Sequence, residues 1–120
     1  MKKILIVDDE PNIVMTLEYT FKKSNYEVFI ARDGQEALDI LKTNFPDVII
    51  LDIMMPMVDG FATLVQIRKD DNLQHTKVMF LSAKNKESDI EKGLALGADA
   101  YMTKPFSIKK VVEKVEELLS

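Results

Sequence analysis

The stretch Ile4–Glu10, ILIVDDE, carries four apolar residues that lead directly into three acids, and Pro11 follows at once. Ile and Val are typical of buried β-strands, whereas proline is favoured at the first position of a helix. The stretch therefore predicts a buried strand that ends at Asp8 and Asp9 and a helix that begins at Pro11. Three adjacent carboxylates repel one another, so their place directly after a strand calls for a functional reason.

Four further apolar runs follow along the chain, at Val28–Ala31, Val48–Leu51, Val78–Leu81 and, more weakly, Ala100–Met102. Three of the five runs, the first and those at Val48 and Val78, are almost continuously apolar. Such runs are typical of parallel strands that are covered on both faces.

The segments between these runs repeat apolar residues at helical spacing, and each predicts a helix. The residues that mark the five helices are Ile13, Leu17 and Phe21; Ala37, Leu38 and Leu41; Leu64 and Ile67; Ile90 and Leu94; and Ile108, Val111, Val112, Val115, Leu118 and Leu119. Gly97 is predicted to cap the fourth helix. Five alternating units predict an α/β fold, a doubly wound (βα)5 arrangement with a five-stranded parallel sheet and helices on both faces.

Composition limits the class of protein. The chain has 120 residues, which fits one domain over residues 1–120, and 47% of them are hydrophobic. The lack of cysteine excludes disulfides and cysteine-based metal sites and suits a reducing compartment. The apolar runs are far too short to cross a membrane, and a net charge of −4 without a basic patch disfavours nucleic-acid binding. We therefore expect a cytoplasmic protein that binds neither a membrane nor nucleic acid directly.

Polar side chains follow the predicted strands where the strands end. Asp8 and Asp9 end the first strand, Asp52 the third, Ser82 the fourth and Lys104 the fifth. The carboxyl ends of parallel strands meet at one edge of the sheet, where open α/β proteins bind ligands. Carboxylates grouped there favour Mg²⁺, which is usually held by one or two carboxylates, waters and a phosphate. With a lysine and a hydroxyl nearby, this edge is suited to accept a phosphoryl group on Asp52.

Four short motifs occur in order along the chain: DDE at 8–10, LDIMMPMVDG at 51–60, LSA at 81–83 and KPF at 104–106. With all four in register over the whole chain, the sequence resembles the receiver domain of two-component response regulators, of the chemotaxis-regulator type. The resemblance implies a flavodoxin-like sheet with strand order 2-1-3-4-5. One departure is Met57, which stands in a turn where the family usually has glycine.

The resemblance also implies roles for the residues at this edge. Asp52 is the phosphoacceptor. Mg²⁺, for which Mn²⁺ can substitute, is held by Asp8, Asp9, Asp52 and the backbone carbonyl of Met54. Lys104 contacts the phosphoryl oxygens.

Switching and lifetime are assigned to further residues by the same resemblance. Ser82 hydrogen-bonds the phosphoryl group and moves toward it, and Tyr101 changes rotamer with it. The Lys104–Pro105 peptide bond is cis. Met54 and Lys84 overlook the path of the water that hydrolyses the phosphorylated aspartate. A thioether is a weak acceptor and an ammonium only donates, so neither orients that water well, which predicts a long-lived phosphorylated form.

Simpler structural roles remain open for several of these residues. Asp8 and Asp9 are also suited to cap the first helix, and Tyr101 to pack within its strand. We expect Glu10 to be a solvated acid of the first helical turn rather than a metal ligand. Asp59–Gly60 is predicted to form a turn and start a helix.

The predicted function is a phosphorylation-controlled signalling switch. A histidine kinase or phosphotransfer protein donates the phosphoryl group. The changed surface of the fourth helix, fifth strand and fifth helix then controls a downstream effector protein or domain, or forms a phosphorylation-dependent homodimer. We expect self-phosphorylation and autodephosphorylation but no turnover of an external substrate.

Two other classes of function fit the sequence less well than the switch. A phosphatase of the haloacid dehalogenase type also forms an aspartyl phosphate, but its acids lie in a DxD pattern and 120 residues leave no room for a cap domain. A flavodoxin-like binding module needs a glycine-rich loop after the first strand, and DDEPNI has no glycine.

Overall fold

The computed structural model of the chain describes residues 1–120, and strands alternate with helices throughout. The strands are β1 (Lys3–Val7), β2 (Glu27–Ala31), β3 (Val48–Leu51), β4 (Lys77–Ser82) and β5 (Ala100–Thr103). The helices are α1 (Pro11–Lys23), α2 (Gly34–Ile40), α3 (Gly60–Lys69), α4 (Glu87–Ala95) and α5 (Ile108–Leu119), with a 3-10 turn at Asp71–Leu73. All strand pairs are parallel, in the order β2-β1-β3-β4-β5. The predicted (βα)5 fold and its strand order are confirmed.

The register of β1 against β3 sets the ends of these two strands side by side. Val7 pairs with Leu51, so the residues that follow, Asp8 and Asp52, leave the sheet as neighbours. The amide of Asp52 still donates to the carbonyl of Val7 at 2.9 Å, and that of Asp8 to the carbonyl of Ala31 at 3.1 Å. Both aspartates are therefore fixed by sheet hydrogen bonds rather than carried by a loop.

Alternate strand residues form two core layers, one on each face of the sheet. One layer joins Leu5, Val7, Ile49 and Leu51 to Ala37 of α2 and to Phe61, Leu64 and Ile67 of α3. The other joins Ile4, Ile6, Val48 and Ile50 to Leu17 and Phe21 of α1 and to Val111 and Val115 of α5. Every residue of β3 is buried, as the continuous apolar run predicted. None of the helices combines the length and apolar character that spanning a bilayer requires.

Helix α4 is seated more loosely than the sequence pattern predicted. Gly93 is its only buried residue, and Leu94, expected on the apolar face, is 46% exposed. A Cβ added to Gly93 would lie about 3.0 Å from the ring of Phe80 and 3.1 Å from that of Tyr101. The helix thus packs on these rings through a residue without a side chain, which turns Leu94 toward solvent. The predicted cap is confirmed, because Gly97 follows α4 with φ +111°.

At the opposite edge of the sheet, Arg68 in the last turn of α3 joins several segments. Its Nε donates to the carbonyl of Gly97 at 3.0 Å, and its Nη2 donates to the carboxylate of Asp99 at 3.0 Å. Its Nη1 donates to the carbonyls of Thr76 at 2.9 Å and Leu73 at 3.3 Å. We call these contacts the Arg68 hub. The hub ties the turn after α4 to the end of α3 and to the turn before β4.

The strained turn after β3 provides a test of backbone stability. Met57 has φ +68° and is 85% exposed. This left-handed conformation costs a residue with a Cβ roughly 1–2 kcal/mol. We expect Met57→Gly to raise the free energy of unfolding by roughly 0.5–1 kcal/mol, since glycine relieves the strain but loses more conformational entropy.

Asn25 is the matched control, because it has the same φ of +68° but is of a type that tolerates this conformation. We expect Asn25→Gly to change stability little. Urea unfolding followed by circular dichroism measures both variants. A gain for Met57→Gly no larger than that for Asn25→Gly would contradict strain at Met57.

Candidate functional site

Two buried carboxylates form the centre of the site at the carboxyl ends of β1 and β3. Asp8 is 2% exposed and Asp52 is 3% exposed. Each has one oxygen engaged by a backbone amide: Asp8 Oδ1 accepts from Glu10 at 2.9 Å, and Asp52 Oδ1 accepts from Ile53 at 2.8 Å. The second oxygen of Asp8 accepts from the Lys104 ammonium at 3.0 Å, whereas that of Asp52 lies 3.6 Å from the ammonium and remains available to a cation or a reacting group.

Lys104 brings a positive charge to these carboxylates from the end of β5. Its Nζ lies 3.0 Å from Asp8 Oδ2, 3.0 Å from Glu10 Oε1 and 3.6 Å from Asp52 Oδ2. Its amide donates to the carbonyl of Ser82 at 2.8 Å, which continues the β4–β5 pairing beyond the last residue of β5. The Lys104–Pro105 peptide bond is cis, which is what the resemblance implied. One ammonium therefore serves three carboxylates.

The pKa values of the site reflect this shortage of positive charge. Burial raises the pKa of Asp8, and hydrogen bonds from Glu10 and Lys104 offset only part of the effect. Burial also raises the pKa of Asp52, and the charge of Asp8 raises it further. Burial lowers the pKa of Lys104, but hydrogen bonds to Glu10 and Asp8 outweigh burial and raise it overall. An added cation would relieve the repulsion between the carboxylates.

The donor set fits a hard divalent cation. Carboxylate oxygens of Asp8, Glu10 and Asp52 lie within 4.8 Å of one another. Mg²⁺ favours oxygen ligands of this kind. The group differs from the predicted one, because its third member is Glu10, whose carboxylate the Lys104 ammonium draws in, whereas Asp9 is exposed and lies outside it. Metal binding by Asp9 stays a prediction.

Ser82, Tyr101 and Lys84 are connected beside this centre. Ser82 is fully buried, and its hydroxyl oxygen accepts from the amide of Lys84 at 3.2 Å. The Tyr101 hydroxyl donates to the carbonyl of Lys84 at 2.7 Å, and its ring packs on Phe80 at 5.7 Å between centroids. Burial and the charge of Asp89 raise the pKa of Tyr101, which keeps the hydroxyl protonated as a donor. The backbone of Lys84 thus links the serine to the tyrosine.

The loop after Asp52 is held close to the strand end. The amide of Gly60 donates to the carbonyl of Ile53 at 3.0 Å, and a Cβ at Gly60 would collide with the carbonyl oxygen of Asp52. Asp59 caps α3, accepting from the amide of Ala62 at 2.9 Å, as its predicted role in starting a helix requires. Met54 projects from this loop with 57% of its surface exposed.

Sequence reasoning missed two residues that shape the site. Glu10 is predicted to be a solvated acid, and its side chain is indeed 56% exposed, but its carboxylate pairs with Lys104. The run of three acids was the available signal, since only two were needed for the predicted metal site. Gly60 is predicted to form a turn and start a helix, and α3 does begin there. The sequence did not reveal its close approach to the Asp52 backbone, which makes glycine necessary at this position.

A cavity of about 480 Å³ opens beside the Glu10–Lys104 ion pair. Its apolar lining consists of Ile13, Ala83, Pro105 and Phe106. The cavity lies between α1 and the turn after β5, and Glu10 and Lys104 are its charged lining residues.

Comparison with known sequences gives the family and its extent. A family model described as response regulator receiver domain matches residues 4–116. The alkaline phosphatase synthesis transcriptional regulatory protein PhoP of Bacillus subtilis (strain 168) is 46% identical over 118 residues. That match covers 98% of this chain and 48% of PhoP, so the chain spans about half the length of this curated relative.

Solved structures share the fold over nearly the full length. The chemotaxis protein CheY4 of Vibrio cholerae is 31% identical with a TM-score of 0.93, and the match covers 99% of both chains. The receiver domain of the sensor histidine kinase PA1611 from Pseudomonas aeruginosa PAO1 is 25% identical with a TM-score of 0.89. That match covers 98% of this chain and 97% of the other, whose structure has a magnesium ion coordinated in the active site cleft.

The charge of the site predicts a pH-dependent stability in the absence of metal. Because the pKa of Asp52 is raised on folding, the folded state favours protonated Asp52, and stability is lost as the pH rises through that pKa. Asp52→Asn removes the charge and keeps the shape. We expect it to stabilise the metal-free protein by on the order of 1 kcal/mol at pH 8, with a gain that shrinks as the pH falls through the raised pKa of Asp52.

Urea unfolding in excess chelator, at pH 8 and over a series of lower pH values, measures this change. Glu113→Gln is the control, because Glu113 is an exposed acid of α5 that forms no ion pair. If Asp52→Asn does not raise the free energy of unfolding at pH 8, the charge of Asp52 does not destabilise the metal-free protein and the prediction is wrong.

Proposed function

This chain belongs to the response regulator receiver domain family, and from that premise we propose that it accepts a phosphoryl group on Asp52 and acts as a switch. The observation that carries the proposal is the buried Asp52 carboxylate beside Asp8, with the Lys104 ammonium 3.6 Å from its Oδ2. The donor is the phosphohistidine of a histidine kinase or phosphotransfer protein.

In the proposed reaction, a carboxylate oxygen of Asp52 attacks the phosphorus of the phosphohistidine. The new phosphorus–oxygen bond forms as the phosphorus–nitrogen bond breaks, and the histidine leaves with the electron pair. Lys104 neutralises charge on the phosphoryl oxygens, and the backbone amides around Asp52 hold the nucleophile in line. The attack needs ionised Asp52, which positive charge near the site favours.

Receiver domains bind Mg²⁺ in an acidic site, and the carboxylates of this chain suit that ion. Mg²⁺ would be held by Asp8, Asp9, Asp52 and the backbone carbonyl of Met54, with Mn²⁺ as a substitute. When bound, it neutralises the carboxylates and the transferring phosphoryl group. The side chain of Asp9 is exposed, and in this proposal it would turn toward the cation.

The output of the switch is proposed to run through Ser82 and Tyr101. A phosphoryl group on Asp52 would draw the Ser82 hydroxyl toward it, which disturbs the Lys84 backbone to which Tyr101 is bonded. The loose seating of α4, in which Gly93 is the only buried residue, supports a change of the surface formed by α4, β5 and α5.

That surface would control an effector protein or domain, or a phosphorylation-dependent homodimer. The transcriptional role of the PhoP relative supports gene regulation as the output of a longer protein. The proposal includes a cytoplasmic location and no turnover of an external substrate.

Labelling by a phosphodonor tests the acceptor. We expect Asp52→Asn to abolish labelling by acetyl phosphate and Mg²⁺, because the amide is not a nucleophile, while the circular dichroism spectrum is unchanged. The control is Asp59→Asn, which lies in the same loop and keeps a good helix cap. Undiminished labelling of Asp52→Asn would rule out this acceptor, and continuous release of phosphate over many turnovers would instead indicate a phosphatase.

The lifetime of the phosphorylated form tests the roles of Met54 and Lys84. A side chain that hydrogen-bonds the attacking water would align it with the phosphorus, and neither residue does so well. We expect Met54→Asn and Lys84→Glu each to shorten the half-life of the label, on the order of severalfold. Loss of label in Mg²⁺ without any phosphatase measures it.

Met57→Asn serves as the control for this experiment, because Met57 lies in the same loop and is 85% exposed. We expect its half-life to equal that of the wild type. A half-life of Met54→Asn that is unchanged or longer would show that Met54 does not limit access of water.

A further inference from the structure

Lys104 is shared unequally among its three carboxylate partners. Its ammonium donates hydrogen bonds of 3.0 Å to Asp8 and to Glu10, whereas the distance of 3.6 Å to Asp52 is too long for a hydrogen bond. Of the three carboxylates, Asp52, where the proposed chemistry takes place, therefore has the weakest contact with the Lys104 ammonium. The ammonium has to move toward Asp52 before it can contact a phosphoryl group there.

Glu10 is the partner that can give up Lys104 most easily. It is the N-cap residue of α1, but its side chain makes no capping hydrogen bond, and Lys104 is its only side-chain partner. The Glu10 side chain is 56% exposed, whereas that of Asp8 is 3% exposed. Water can solvate the Glu10 carboxylate once its ion pair opens, but the buried Asp8 carboxylate would lose its partner at a high cost.

We propose that Glu10 is a positioning residue that holds the Lys104 ammonium away from Asp52 in the unphosphorylated protein. When a phosphoryl group on Asp52 presents its oxygens, Lys104 exchanges Glu10 for them and keeps its contact with Asp8. This inference rests on the proposed function and adds to it a residue of this chain that restrains the reaction.

The exchange predicts that loss of Glu10 speeds phosphorylation. In the wild type the Glu10–Lys104 hydrogen bond must break on the way to the transition state. Glu10→Gln weakens that bond and Glu10→Ala removes it, and neither disrupts a helix cap. At saturating Mg²⁺ we expect labelling by acetyl phosphate to be roughly threefold faster in Glu10→Gln and up to about tenfold faster in Glu10→Ala.

Loss of the Glu10 charge could also speed labelling by reducing the repulsion of the anionic donor, and this effect has to be distinguished from loss of the Glu10–Lys104 contact. Glu10 also repels an anionic donor, but at 1 M KCl the screening length is about 3 Å and that repulsion is suppressed. We expect most of the acceleration to persist at 1 M KCl. Glu113→Gln, which removes one exposed charge elsewhere, should label at the wild-type rate. Acceleration that disappears in salt or also occurs in Glu113→Gln would overturn the proposal.

Nuclear magnetic resonance of Lys104 tests the exchange without relying on turnover. The Cε resonance of Lys104, in protein labelled with ¹³C at lysine Cε, should differ between wild type and Glu10→Gln in the metal-free state. In Mg²⁺ and beryllofluoride, a mimic of the phosphoryl group, the two spectra should coincide at this resonance. The proposal would be overturned if the Lys104 resonance were the same in the two metal-free proteins. It would also be overturned if the resonance still differed between them in Mg²⁺ and beryllofluoride.

Metal binding decides between this role and direct ligation by Glu10. We expect the dissociation constant for Mg²⁺ of Glu10→Gln to stay within about threefold of the wild type, while Asp8→Asn and Asp9→Asn weaken binding by about tenfold or more. A loss of Mg²⁺ affinity in Glu10→Gln as large as that in Asp8→Asn would make Glu10 a ligand and overturn the proposal.

The failure of this inference can be told apart from the failure of the proposed function. If acetyl phosphate does not label the wild-type protein at all, the proposed function fails. If the Glu10 variants are labelled at the wild-type rate, only this inference fails.

Discussion

The parallel pairing of β1 with β3 is the constraint on which the site depends. Because Val7 pairs with Leu51, two buried carboxylates follow at neighbouring strand ends. The same register that completes the core thus creates a concentration of negative charge that folding alone would not favour. Lys104 reaches back from the end of β5 to offset part of this charge. The buried carboxylates carry an electrostatic cost that the single lysine offsets only in part, and such local costs are common at functional sites.

Much of this arrangement follows from the sequence, because the carboxyl ends of all strands in a parallel sheet lie at the same edge. The places of Asp8, Asp52 and Lys104 were predicted from apolar runs that end in polar residues. The difference between Asp9 and Glu10 was not, because the partner that orients Glu10 lies 94 residues away along the chain. No local pattern carries such information. The four motifs indicated the family and comparison with known proteins confirmed it, but the choice of ion pair comes from packing.

The exposed face of α4 could not be predicted for a related reason. Helical periodicity gives the apolar side of a helix only when apolar side chains make the contact, and here the contact is made by Gly93. The rings of Phe80 and Tyr101 fill the space that a side chain would take. Gly60 has a similar effect at the start of α3, where it allows the helix to approach the backbone of Asp52. In both places the absence of a Cβ determines how a helix sits against the reactive edge.

The Arg68 hub gives α4 the mechanics of a lever with a fixed pivot. The hub clamps the turn after the helix through Gly97 and Asp99, whereas the first turn of α4 follows the segment that contains Lys84 and has no comparable anchor. A nine-residue helix is roughly 13 Å long, so a tilt of about 10° around the pivot carries its free end by roughly 2 Å. In the proposed switch the pivot end would hardly move, and displacement would be greatest at the end of α4 that follows the Lys84 segment. A shift of the Ser82 hydroxyl, which accepts from the Lys84 amide, would then be magnified at the surface of the protein.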